Sequence, residues 1–233
     1  MAGTSIGAIV GGGYAAGLLD RVEDVALSLG LRGVLRLGQM GFGKGAVVGS
    51  DRIAAMLTEH FGDRLIEDLP IPYAAVSADL YSGDMHIHQS GSLVEAMRAS
   101  SAIPALFPAV PLEDKLLLDG GIVEPVPVSA CRALGADQII AVNLQDDYPG
   151  ALERVGITRE KNPSLFKVGR AAIIAGLRTV SRQSLAASKP DVVIAPRAGH
   201  FEPSDFTKAQ ELISIGVSAA LEQADQLKAL KRG

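Results

Sequence analysis

Short, nearly continuous apolar runs alternate along this chain with longer segments of helical period, and that alternation limits what the chain can become. PYAAVSADL (72–80), KLLLD (115–119), QIIAVNL (138–144) and DVVIA (191–195) have strand length and are bounded by Pro, Gly, Asp or Lys. Such runs suit strands covered on both faces. MHIHQ (85–89) alternates, as a half-exposed edge strand does. Between these runs Ser50 can cap a helix over 51–61, Ser92 one over 93–100, and Pro127 precedes VSACRAL where a first helical turn tolerates it. Segments 164–188 and 204–230 read as long amphipathic helices, with Leu165, Val168 and Ala172 on one stripe and Leu212, Ile215 and Leu221 on another. Residues 145–163 read as a polar loop and KALKRG as a frayed helix end. Strands and helices in alternation predict an α/β fold with a mostly parallel central sheet and helices on both faces. No internal repeat or linker divides the 233 residues.

Composition excludes several classes. A 48% hydrophobic fraction with 21% charged residues is incompatible with a disordered chain. Aromatic residues make up only 4%, with no Trp, and the net charge is −4, which argues against a nucleic-acid binder. A single cysteine, Cys131, excludes an internal disulfide and suits a reducing compartment. Residues 4–19 carry no charge, but no Lys or Arg precedes them, five of the sixteen are Gly, and they are short for a membrane span. They read as a buried helix of a soluble protein.

Two glycine motifs compete for attention. GQMGFGKG (38–45) approaches a phosphate-binding loop, but Gly45 stands where the Ser or Thr that ligates Mg²⁺ is required, so it reads as a loop. Gly3-Thr4-Ser5-Ile6-Gly7 fits G-x-S-x-G, the sharp strand-to-helix turn that exposes a serine nucleophile. Gly3 and Gly7 fit the close backbone approach of such a turn, and the helix that follows points the positive end of its dipole at Ser5. A serine nucleophile needs a base. His200 is one candidate, with Asp119 or Asp191 to orient it, and Asp119 itself is the other. Asp119 ends the run LLLD, and Gly120 and Gly121 let another backbone segment pass closely.

GTSIGAIVGGGYAAG, GSLVEAMRASSAIPALFPAV (91–110) and LLLDGGIVEPVPVSACRALGADQIIAVNL (116–144) together resemble the bacterial patatin-like phospholipases. The likeness continues through DLPIPYAAVSADLYSG (68–83) and KPDVVIAPRAGHFEPSDF (189–206), so it covers nearly the whole chain. It implies a three-layer α/β fold and a lipid acyl hydrolase of lipid metabolism with a Ser–Asp dyad, Ser5 as nucleophile and Asp119 as general base. The expected substrate is a lipid or fatty-acyl ester, met in transient contact with a membrane surface, and the composition and residue set add a cytoplasmic location and no cofactor, metal or nucleic-acid partner. His86 and His88 share a strand face and could hold a metal, but no carboxylate motif joins them. Family members carry a strand, a G-G-G-x-(R/K)-G loop and a helix ahead of the elbow. The expectation is therefore one domain over 1–233 without that unit. The competing expectation is a catalytically silent lipid- or protein-binding module, because that loop supplies oxyanion donors.

Overall fold

The computed structural model describes residues 1–28, 50–104, 107–158, 162–202 and 205–230. The chain divides into two units, Met1–Ala136 and Asp137–Gly233. The glycine motif at 38–45 lies outside the described residues.

In the first unit, strand β1 (Ala2–Thr4) turns at Ser5 into helix α1 (Ile6–Ala15), and helix α2 (Leu19–Ser28) follows a turn at Gly17 with φ 69°. The uncharged N-terminal segment thus makes a shorter helix than its hydropathy suggests. Gly17 is one reason, since a positive φ ends the helical path. Helix α3 spans Ser50–Phe61, strand β2 Ala74–Asp79 and strand β3 Met85–His88. Helix α4 (Leu93–Ser100) starts, as read, at Ser92, whose hydroxyl accepts from Glu95 N at 3.3 Å. Strand β4 (Val110–Leu112), strand β5 (Lys115–Asp119) and helix α5 (Val128–Ala133) complete the unit.

All six residues of β2 are buried, and both of its edges are in use. Along one edge it pairs with β3, antiparallel, from Ala75↔His88 to Ala78↔Met85. Two strands share the other edge. β1 runs parallel to β2 as far as Thr4↔Val76, and β5 runs antiparallel from Asp79↔Leu117 to Ser77↔Asp119. The C-terminal ends of β1 and β5 therefore meet head to head between Val76 and Ser77. β4 extends the sheet beyond β5.

The central-sheet α/β architecture matches the expectation, but the pairing is mixed rather than mostly parallel. β3 and β4 are joined to their partners by short turns, and a short turn can only reverse the chain. The β4–β5 turn holds Glu113 at φ 52°, a backbone that L residues seldom adopt, so the sequence carries no Asn-Gly signature to announce it.

Successive side chains of β2 serve opposite faces. Ala75, with Tyr73 before it, joins Ala8, Leu57, Phe61, Leu93 and Met97 from α1, α3 and α4. Ala74 and Val76 pack with Ala130 of α5. The run Gly11–Gly13 brings α1 close to its neighbours. A Cβ on Gly12 would lie 2.2 Å from Met97 Cε and one on Gly13 2.5 Å from Val22 Cγ2. Tyr73 is buried and donates its hydroxyl to the carbonyl of Ala8 at 2.7 Å, and burial pushes its phenol well above the usual range.

In the second unit strand β6 (Ile140–Val142) is followed by helix α6 (Tyr148–Arg154), inside the segment expected to be a loop. Asp147 caps α6 by accepting from Gly150 N at 3.2 Å, and Pro149 fits its first turn. Helix α7 (Leu165–Ser188) has the extent read from the sequence, and strand β7 (Val192–Ile194) pairs parallel with β6. The last segment is not one helix: a 3₁₀ turn at 206–208 leads into helices α8 (Ala209–Glu222) and α9 (Ala224–Leu230). None of the described helices is long and apolar enough to cross a membrane.

Two stability measurements follow. A Cβ on Gly120, directly after β5, would lie 2.3 Å from the carbonyl oxygen of Val76, a backbone atom that cannot step aside. Gly120→Ala should cost roughly 1–3 kcal/mol or more in urea unfolding. Gly7→Ala, where a Cβ meets nothing described within 4 Å, should be neutral or stabilise by up to about 1 kcal/mol. Equal losses at the two positions would contradict the packing. His88 is buried with its Nε2 2.9 Å from Ser77 Oγ, and burial, then the charge of His86, lower its pKa from 6.5 to about 4. The unfolded chain takes up that proton first, so stability is full above about pH 6.5 and declines as the pH falls towards 4. His88→Gln should flatten the decline in melting temperature across that window.

Candidate active site

Ser5 lies in the gap where β1 and β5 meet. Its backbone has φ 56° and ψ −128°, a conformation that costs a non-glycine residue about 1–3 kcal/mol and persists only where its surroundings impose it. Gly3 makes the turn sterically possible, since a Cβ there would lie 2.1 Å from the carbonyl oxygen of Gly7. Gly7 was expected to be crowded in the same way. Its own Cβ position is clear of described atoms, and what it contributes to the turn is the backbone that crowds Gly3. Helix α1 begins at Ile6, so the positive end of its dipole lies at Ser5.

Asp119 is the last residue of β5 and is 7% exposed. Ser5 Oγ donates to its Oδ2 at 2.5 Å, and Gly121 N donates to its Oδ1 at 2.8 Å. Burial raises the pKa of this carboxyl above the usual Asp range, and the two hydrogen bonds offset part of the rise. The D-G-G run thus divides its work. Asp119 holds the serine hydroxyl, Gly120 lets the chain pass against β2, and Gly121 fixes the carboxylate's other oxygen. A hydroxyl donating to a buried carboxylate is the starting geometry for general-base activation of a serine.

The backbone around the pair is held at several points. Thr4 Oγ1 donates to the carbonyl of Glu124 at 2.8 Å, tying the end of β1 to the segment after Asp119. Ser5 N donates to Ser100 Oγ at 2.9 Å, Ser100 Oγ donates to Val76 O at 2.6 Å, and Asp119 N donates to Ala102 O at 2.9 Å. Sequence reading did not single out Ser100 or Ala102, because neither lies in a motif with a chemical signature.

His200 belongs to the second unit, is exposed, and lies against the ring of Phe201 at 4.1 Å between centroids. Asp119 holds Ser5 and Gly121, and Asp191 accepts from Ile139 N at 2.7 Å at the start of β6. His86 and His88 meet edge to face at 4.5 Å, and among the described residues no three His, Cys, Asp or Glu side chains converge as a metal site.

Comparison with known proteins adds a family to this geometry. The patatin-like phospholipase family model matches residues 1–132. An uncharacterized NTE family protein of Mycobacterium tuberculosis is 39% identical over 150 residues, a match covering 64% of this chain and 42% of that protein. A second such protein, of Mycobacterium bovis, is 35% identical over 147 residues, covering 63% of this chain and 25% of the other. A patatin-like phospholipase domain-containing protein of Caenorhabditis elegans is 27% identical over 97% of this chain, which corresponds to 18% of its own length. The chain thus spans less than half the length of these relatives. With a family model matched over more than half of its residues, from the serine turn through the D-G-G run, this chain belongs to the patatin-like phospholipase family.

Proposed function

We propose that this chain hydrolyses carboxylic esters of lipids through an acyl-serine intermediate, with Ser5 as nucleophile and Asp119 as general base. The observation that carries the reading is the hydroxyl of a strained Ser5 donating to the buried carboxylate of Asp119. The family name supplies the substrate class.

Asp119 Oδ2 takes the Ser5 Oγ proton as Oγ attacks the ester carbonyl carbon. The negative charge moves to the carbonyl oxygen, and in this cycle the helix dipole of α1 and the N–H of Ile6 stabilise it. When the intermediate collapses, the bond to the alcohol oxygen breaks and Asp119 returns its proton to that oxygen. A water molecule then gives a proton to Asp119 and attacks the acyl carbon. Fatty acid leaves, and Ser5 regains its proton from Asp119.

Burial serves this chemistry directly. An aspartate at its ordinary pKa near ~3.9 is a weak base. The same burial that raises Asp119 makes it more willing to hold the serine proton. No metal or other cofactor takes part in the proposed cycle. The match of the C. elegans relative across 97% of the chain supports assigning both units to one hydrolase domain, residues 1–233. A membrane surface met transiently is where such substrates reside, and the single cysteine agrees with a cytoplasmic location.

The test is hydrolysis of p-nitrophenyl fatty-acid esters by the full chain in buffer containing EDTA. Ser5→Ala should abolish it, and a fluorophosphonate probe should label Ser5 in the unsubstituted protein. Asp119→Asn should remove nearly all turnover while His200→Ala retains most of it; the reverse would assign a histidine base.

The raised pKa of Asp119 gives a second test. Only the ionised carboxylate can act as base, so kcat/KM should fall on acidification with an apparent pKa above the ordinary aspartate value. Stability has the opposite sign. A carboxyl whose folded pKa is raised favours folding below its unfolded pKa, and that contribution is lost as pH rises through the folded pKa. Asp119→Asn should therefore melt no lower than the unsubstituted protein at neutral pH. A clear drop in its melting temperature would mean that the ionised carboxylate stabilises the fold.

A further inference from the structure

The edge of β2 that β1 and β5 share has a break in its hydrogen-bond ladder. The last β1 pair is Thr4↔Val76, and the first β5 pair beyond it is Asp119↔Ser77. Ser5 cannot continue the ladder, because φ 56° turns it away from the strand. Its N–H meets Ser100 Oγ at 2.9 Å, and the same hydroxyl donates onward to Val76 O at 2.6 Å. One side chain thus accepts from the serine turn and donates to the strand beneath it. Ser100 is wholly buried, so removing its hydroxyl deletes a buried partner of both Ser5 N and Val76 O.

Two residues later the same segment performs a matching task, with the carbonyl of Ala102 accepting from Asp119 N at 2.9 Å. The end of α4 therefore holds the backbone of both members of the pair. We infer that Ser100 is a positioning residue: its hydroxyl, with the neighbouring Ala102 carbonyl, sets the distance between Ser5 Oγ and Asp119. The catalytic part of this inference rests on Ser5 being the nucleophile. The structural part does not.

Three substitutions in the full chain separate the hydroxyl from its bulk. Ser100→Ala deletes both hydrogen bonds. Ser100→Thr keeps them and adds a methyl group to a packed site, and Ser100→Val has the shape of Thr without the hydroxyl. Displacement of a reacting group by a fraction of an ångström to an ångström lowers turnover roughly 10- to 100-fold. The Ala and Val variants should lose kcat on p-nitrophenyl esters by that amount with KM nearly unchanged, whereas Thr should stay within about threefold of the unsubstituted chain. Thr and Val should lose melting temperature alike. A merely structural role would lower kcat in Thr and Val equally, and that result overturns the inference.

Hydrogen exchange at the Ser5 amide, read by NMR on serine-labelled protein, needs no turnover. In the unsubstituted protein and the Thr variant it should be protected, and in Ala and Val it should exchange about tenfold faster or more. Rapid exchange in the unsubstituted protein overturns the inference even if no variant folds. Absence of hydrolysis with the expected exchange pattern would instead overturn the nucleophile reading and leave the positioning intact.

Discussion

Two strands divide one edge of β2 between them, and the first unit is arranged around that division. β1 occupies Ala74 to Val76 and β5 occupies Ser77 to Asp79, approaching from opposite directions. Neither can extend without displacing the other. Ser5 and Asp119 are the residues at which each strand stops, so strand register alone brings together side chains 114 residues apart. The carbonyl of Val76 lies at the junction, accepting from Ser100 and passing within 2.3 Å of where a Cβ on Gly120 would be. Glycine at Gly3 and Gly120 leaves room where a Cβ would strike the backbone of Gly7 and Val76.

The site runs against the stability of the fold in two ways, and the surroundings meet both. The left-handed backbone of Ser5 is held by hydrogen bonds from its own amide and from Thr4 Oγ1. The buried carboxylate of Asp119 is held by a hydroxyl and a backbone N–H. Each compensation comes from a different element, so no single piece of the unit could keep this geometry alone. The close packing of α1 through Gly12 and Gly13, with Tyr73 pinned to Ala8, anchors the helix on which the turn depends.

Much of this was legible in the sequence, because steric necessity leaves residue signatures. G-x-S-x-G and D-G-G mark places where backbone passes too close for a side chain, and the apolar runs at 72–80 and 115–119 suit buried strands. Strand direction was not legible. KLLLD reads alike in either orientation, and the reversal comes from the turn at Glu113, which has no glycine to betray it. Helix α6 was hidden because a polar seven-residue helix has little apolar period, although Asp147 and Pro149 are a cap and a first-turn residue in plain view. The 204–230 segment keeps its stripe across the break at Gln223, so periodicity alone joined α8 to α9. Ser100 stayed invisible for another reason. A buried serine that accepts from a distant backbone has no local pattern.

The separation of 114 residues between Ser5 and Asp119 also orders events during synthesis. The serine leaves the ribosome first. At about 5–20 residues per second, its partner follows roughly 6–23 s later. Until β5 docks beside β2, the hydroxyl has no carboxylate and the elbow lacks the segment that ties down its flank. The pair thus forms only when the sheet is complete.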